Sequence, residues 1–268
     1  MKKRIRISAH MGEFGGNIPG NTFASAEIAL RHGADILELD VTKSADDQLF
    51  VFHPGMEKRM LGVDTDLRML TAHEIEKLRF VNVFGTETSH ALSRLEDMLM
   101  FLRGRCVVNI DKFEDNPAAI AAVVRRLGMQ DQVLVKTKPT QRNFDMVAQV
   151  AYDLPYMPFV YEQDACYEQL SSRRDMRYCG CEAVFSTDDS PLAQEAYIHR
   201  MHELGKEVWV NAIRFSDHSP LAGSRSDDGA LTGDPDAHWG WMADTGYDII
   251  QTDWPLALDL YLSRRSMR

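Results

Sequence analysis

Along most of this chain short apolar runs alternate with longer amphipathic stretches, the βαβα rhythm of a parallel sheet with helical crossovers. The apolar runs predict nine strands, at residues 4–9, 36–40, 49–53, 107–111, 133–136, 157–161, 183–186, 208–212 and 249–251. The stretches between most of them predict helices at 22–32, 94–103, 117–127, 141–151, 192–204 and 256–263. Gly33, Gly104, Gly128 and Gly205 each follow a predicted helix, where a left-handed cap residue is wanted.

One connection breaks the rhythm. Only VTKSADDQ separates the second and third strands, and a parallel crossover needs a dozen residues or more, so these two strands are expected to pair antiparallel as a hairpin. Setting one hairpin arm aside leaves eight strands with helical crossovers, the count of a closed (β/α)8 TIM barrel with a small β-hairpin insertion after the second barrel strand. An open doubly wound sheet is the rival, but GEFGG after the first strand is not followed by a helix until Thr22, which makes a poor nucleotide fingerprint. The chain therefore reads as one barrel domain over residues 1–268. Its irregular parts are an insertion at about residues 41–70, including a loop at 54–68, and a long polar segment at 215–239 on the active face.

Composition narrows the function. Hydrophobic residues make up 44% of the 268 positions, enough for a sizeable core, and the formal net charge of −10 excludes a general nucleic-acid binder. An anionic substrate would need local positive charge at its site. MKKRIRIS opens like a signal peptide but lacks the apolar region that should follow, and no run is long enough to span a membrane. Cys106, Cys166, Cys179 and Cys181 fit no zinc spacing and read as free thiols, which places the protein in the cytoplasm. A homo-oligomer is left open.

Polar residues gather at the C-terminal ends of the predicted strands, which in a barrel share one face. Glu38 and Asp40 are two apart in a strand and point to one side, where they repel unless a cation or proton compensates. Asp111 ends a neighbouring strand and can join them. Three hard oxygen donors favour Mg²⁺ or Ca²⁺ over zinc, although the same carboxylates read about as well as strand-end charges paired with Arg or Lys. His10 and His53 end two further strands. A lone strand-end histidine is usually structural, but two flanking a carboxylate cluster have the makings of an acid–base pair.

These residues carry a resemblance. His10-Met11-Gly12, Pro19-Gly20-Asn21-Thr22, Gly33-Ala34-Asp35 leading to Glu38-Leu39-Asp40-Val41, and Val51-Phe52-His53 resemble the signature of the glycerophosphodiester phosphodiesterases. That family reads His-Arg-Gly, Pro-Glu-Asn-Thr, Gly-Ala-Asp…Glu-x-Asp-Val and His-Asp in the same order. The match continues more loosely through Leu95-Glu96-Asp97, Asn109-Ile110-Asp111, Gly205-Lys206 and Gly246…Thr252-Asp253-Trp254-Pro255. It implies a (β/α)8 barrel and a divalent cation held by Glu38, Asp40 and Asp111. It also implies His10 and His53 as acid and base, acting on a small anionic phosphodiester. Hydrolysis gives an alcohol and a phosphomonoester; a related lyase route, as in phosphatidylinositol-specific phospholipases C, leaves a cyclic phosphate. A barrel that binds without turnover is the third reading.

The departures from the family pattern concern the phosphate. Met11 stands where the family has Arg, Gly20 where it has Glu, Pro54 where it has Asp, and Asp111 where Glu is commoner. Lys112 and Lys136 are candidates for the missing positive charge, with an ion pair to a metal-ligating carboxylate or solvent exposure the equal alternative. Trp209-Val210-Asn211-Ala212 stands where the family usually shows a Trp-Thr pair, making Asn211 a candidate substrate contact. Asp234, Asp236 and His238 read better as an acidic turn before a helix at 239–245 than as a second metal site. Trp239 and Trp241 read as anchors of the long loop, the fourteen methionines as core and surface background, and Asn21 and Thr22 as a helix cap.

Overall fold

The computed structural model describes residues 3–162, 167–216 and 218–268. Cys166 lies outside them, as does one position of the segment at 215–239. Eight parallel strands form the barrel: β1 (Arg6–Ala9), β2 (Ile36–Leu39), β3 (Val107–Ile110), β4 (Val133–Thr137), β5 (Pro155–Tyr161), β6 (Gly180–Val184), β7 (Glu207–Asn211) and β8 (Ile249–Thr252). Each pairs with its neighbour in sequence, and β8 pairs with β1 (Arg6 opposite Ile249), so the sheet closes. A two-residue strand, Arg177–Tyr178, adds to the start of β5.

Residues two apart on a strand share a face, and this decides what fills the barrel. Ile36, Leu134, Met157, Trp209 and Ile249 form a buried apolar cluster in its interior. Two positions further along the strands come Glu38, Lys136, Phe159, Asn211 and Gln251, with Asn109 opposite Glu38 and Glu182 opposite Phe159 and Trp209. A polar layer therefore lies on an apolar plug, toward the end of the barrel where active sites of this architecture sit. The opposite faces of the strands pack on the helices, where Ile7, Leu37, Val108, Val135 and Ala183 join the main core.

The six predicted helices are present within one or two residues at most ends, and Gly33, Gly104, Gly128 and Gly205 all have positive φ. Residues 192–204 are an exception: a 3₁₀ turn, Pro191–Ala193, precedes the helix Glu195–Glu203.

The hairpin expectation needs correcting. Strand Leu49–Val51 pairs antiparallel with Val41–Lys43, not with β2. Both edges of β2 are already taken, by β1 and β3, so the chain leaves the barrel and forms its hairpin from residues expected to be a connection. The excursion continues through helix Glu57–Leu61, a 3₁₀ turn at Leu67–Met69, helix Ala72–Ile75 and a second hairpin, Arg79–Val81 with Glu87–Ala91. It has its own apolar cluster of Phe50, Phe52, Leu61, Leu67, Ala72, Ile75, Phe80 and Leu92. The long segment near residue 215 also carries structure, including helix Asp227–Thr232.

Candidate active site

A cavity of about 1010 Å³ opens at the barrel mouth, and its lining includes His10, Glu38, Asp40, His53, Asp111, Lys112, Lys136 and Asn211. The structure thus brings all eight residues singled out from the sequence into one space. Glu38, Asp40 and Asp111 each offer an oxygen atom within 4.8 Å of the others', and they are the one such group among the described residues. Asp111 Oδ1 is buried and has no hydrogen-bond partner. Three converging carboxylates, one with an oxygen left over, suit a hard divalent cation. Burial, and then the charge of Asp40, push the Glu38 carboxyl up to about 8, against the opposing pull of His10 and the Met11 N–H.

Backbone geometry sets these groups. The Met11 amide donates to Glu38 Oε2 at 3.0 Å, and Asn21 holds Asp40 from both sides, Nδ2 to Oδ2 at 3.0 Å and Oδ1 from the Asp40 amide at 3.3 Å. Thr22, not Asn21, caps the following helix. Met11, Asn21 and Lys112 all have positive φ, which non-glycine residues rarely adopt and which gathers at functional sites. Gly12, in the His-Met-Gly motif, has φ of 81° and lies so close to Ser25 that a Cβ would stand 2.7 Å from its carbonyl carbon.

The two histidines differ. His10 Nδ1 contacts Asp253 Oδ1 at 2.9 Å. Burial alone would lower its pKa, but the Asp253 hydrogen bond and the charges of Glu38, Asp253 and Asp40 outweigh it and raise the imidazole to about 9. His53 Nδ1 lies 3.0 Å from the Pro54 carbonyl, which only a protonated nitrogen satisfies, and Nε2 lies 3.0 Å from Lys112 Nζ, which leaves Nε2 as the acceptor. With Nδ1 on the Pro54 carbonyl, Nε2 carries the lone pair and faces the Lys112 ammonium.

Both lysines are engaged. Lys112 Nζ donates to Asp40 Oδ1 at 2.9 Å, His53 Nε2 at 3.0 Å and Asp111 Oδ2 at 3.1 Å. Lys136, almost wholly buried, pairs with Glu182 and sits 3.0 Å above the centre of the Trp209 ring. Asn211 Nδ2 completes Glu182 at 2.6 Å. Glu182 was not among the expected site residues, because the strand expected at 183–186 spans Gly180–Val184 and so carries Glu182 in its inward row. Nor was Arg59, on the insertion helix, which lines the cavity.

The long segment reaches the site. The Phe215 and His10 ring centroids are 6.1 Å apart. Asp227 Oδ1 accepts from Trp239 Nε1 and Thr252 Oγ1, both at 2.8 Å, and Oδ2 accepts from the Asp253 amide at 2.9 Å. Trp239 is an anchor, buried against Tyr261. The Asp234–His238 stretch is a local turn, with the Asp236 amide on Asp234 Oδ1, leading through a π-helical turn into helix Trp241–Thr245.

A glycerophosphodiester phosphodiesterase of Bacillus altitudinis is 28% identical over 141 residues, 49% of this chain and 57% of the relative. One from Caldanaerobacter subterraneus is 35% identical over 79 residues, 30% of this chain and 32% of the relative. The chain is related to the glycerophosphodiester phosphodiesterases. The aligned part spans little more than half of the Bacillus relative and about a third of the other. A family model described as a domain of unknown function matches residues 156–262, the half of the barrel that carries the long segment.

Solved glycerophosphodiester phosphodiesterases share the fold. One from Parabacteroides distasonis superposes with a TM-score of 0.79 at 18% identity, covering 98% of this chain and 88% of that one. One from Agrobacterium tumefaciens gives 0.69 at 24%, covering 96% and 99%. A phosphodiesterase of Oleispira antarctica, in complex with the product sn-glycerol-3-phosphate, gives 0.72 at 17%, covering 96% of each.

Proposed function

We propose that this relative of the glycerophosphodiester phosphodiesterases is a divalent-cation-dependent phosphodiesterase that hydrolyses a small glycerophosphodiester-like substrate. The observation that carries the proposal is the clustering of Glu38, Asp40 and Asp111 beside His10, paired with Asp253, and His53, whose Nδ1 meets the Pro54 carbonyl. Glu38, Asp40 and Asp111 would hold Mg²⁺ or Ca²⁺, which when bound offsets charge on a non-bridging phosphate oxygen.

Around that ion the chain's own groups divide the proton work. His53 Nε2 carries the lone pair and takes a proton from the attacking water, or from a substrate hydroxyl beside the phosphate. The new oxygen–phosphorus bond forms as the bond to the departing alcohol breaks. His10 holds its proton through neutral pH and gives it to the departing alkoxide. Asp253 orients the His10 ring and favours the imidazolium, so that Nε2 is the nitrogen left for the substrate. With water as nucleophile the products are an alcohol and a phosphomonoester.

The test is hydrolysis of bis(p-nitrophenyl) phosphate and glycerophosphocholine with and without EDTA, in wild type, His10→Ala and His53→Ala. Loss of turnover with EDTA and in both variants is expected. Phosphorus NMR then separates the routes, since an accumulating cyclic phosphate marks the lyase. Turnover that survives EDTA, or either substitution, sinks the assignment.

A further inference from the structure

Lys112 occupies an unusual place. An ammonium has three N–H donors, and all three are spent inside the cluster, on Asp40, Asp111 and His53. Two of those acceptors belong to the carboxylate set, and the third is the lone pair that hydrolysis requires. Lys112 follows β3 with a left-handed backbone, φ 50°, and its ammonium reaches Asp40 just past β2 and His53 just past the insertion hairpin.

From this geometry we infer that Lys112 is an internal cation of the carboxylate cluster. A divalent ion displaces it from Asp40, and a substrate phosphate assists by offering the freed ammonium a new partner. The inference rests on the cation-dependent reading above and adds a regulation to it. The argument is one of exclusion. An ion coordinated by these carboxylates would lie about 2–2.5 Å from their oxygens, and the ammonium lies 2.9 and 3.1 Å from Asp40 Oδ1 and Asp111 Oδ2. Two cations that close to the same oxygens repel strongly.

Displacement does two further things. It releases the His53 lone pair, so the base becomes available as the ion arrives. It also leaves an ammonium at the cavity wall with donors to spare, in a chain that has Met11 where its relatives' pattern has Arg. A phosphodiester supplies that partner, and whatever draws Lys112 outward favours the ion by the same factor that the ion favours the phosphate. Ion and substrate are thus expected to load together.

The test is calorimetric titration of Mg²⁺ and of Ca²⁺ into wild type, Lys112→Met and Lys112→Gln, each with and without dimethyl phosphate, a phosphodiester with no adjacent hydroxyl. Circular dichroism selects whichever variant is folded. Without dimethyl phosphate the variant should bind the ion about tenfold more tightly than wild type, and dimethyl phosphate should tighten wild type about tenfold more than the variant. Equal affinity in wild type and variant overturns the inference and leaves the cation-dependent reading standing. So does tighter binding in the variant with the phosphate effect unchanged, because Lys112 then acts only as a nearby charge. Binding of neither ion to any form overturns both.

Discussion

His10 and Asp253 meet through a 2.9 Å contact between Nδ1 and Oδ1, joining the end of the first barrel strand to the end of the last. The two strands are neighbours only because the barrel closes, so an acid–base residue and its orienting carboxylate come from opposite ends of the chain. The contact fixes which ring nitrogen faces the cavity and contributes to raising the imidazole to about 9.

Asp253→Asn tests what that carboxylate does. The amide oxygen can still accept from Nδ1, so the ring keeps its orientation while one negative charge is lost. If His10 is the general acid, its protonated form is required, and activity falls as pH rises through its pKa. In the variant that basic limb should move to lower pH, because the Asp253 hydrogen bond and charge that raise the imidazole are weakened, with kcat reduced more at pH 8 than at pH 6. An unchanged pH–rate profile would show that Asp253 does not set the His10 charge.

Asp227 secures Asp253 in turn. Its carboxylate accepts from Trp239, Thr252 and the Asp253 amide, and burial, the largest influence, pushes it up to about 7 against those three donors. In Asp227→Asn the amide oxygen can keep Trp239 and Thr252, which leaves an NH₂ facing the Asp253 N–H. One donor is then buried without a partner, at a cost of about 1–3 kcal/mol. Urea unfolding should show that loss, and kcat should fall more than KM rises because the His10–Asp253 contact is disturbed. A variant as stable and as active as wild type would mean the long segment only packs beside the site.

Much of this was legible in the sequence because barrel strands are buried on both faces and read as short apolar runs, as VLV at the start of β4 does. The i, i+2 spacing of Glu38 and Asp40 was legible for the same reason: strand geometry leaves them one side to share. The second insertion hairpin was not legible. Glu87–Ala91 alternates between exposed and half-buried positions and shows no apolar face. Nor was the orientation of Lys112, which depends on a left-handed turn that no residue type there announces, or the partnership of Asp227 with Asp253, which lie 26 residues apart.

Glu38→Gln separates stability from function. The folded Glu38 carboxyl is raised to about 8 from 4.5, so its contribution to stability is full below about 4.5 and is lost as pH rises through 8. His10 is also raised, from 6.5 to about 9, and has the same sign. The cation-free protein should therefore lose thermal stability between pH 5 and 9. Glu38→Gln removes one source of that loss, so its melting temperature should fall less over the same range, while its affinity for Mg²⁺ or Ca²⁺ drops. A variant that melts in parallel with wild type at every pH would show that Glu38 is not strained by its neighbours.

The Lys136–Glu182 pair gives the last test. Lys136 is 1% exposed and Glu182 5%, so each charge depends on the other. Lys136→Met leaves Glu182 buried with only Asn211 as a partner, and breaking such a pair typically costs about 3–5 kcal/mol. The double variant Lys136→Met/Glu182→Leu removes both charges and should recover most of that loss in urea unfolding, since a well-packed apolar replacement is often neutral. Turnover of the double variant then decides whether Lys136 has a second task. If the lysine also meets the substrate phosphate, the stable double variant keeps its fold and shows a raised KM. If it turns over like wild type, the buried pair serves only to seat Trp209 and Asn211 beneath the site.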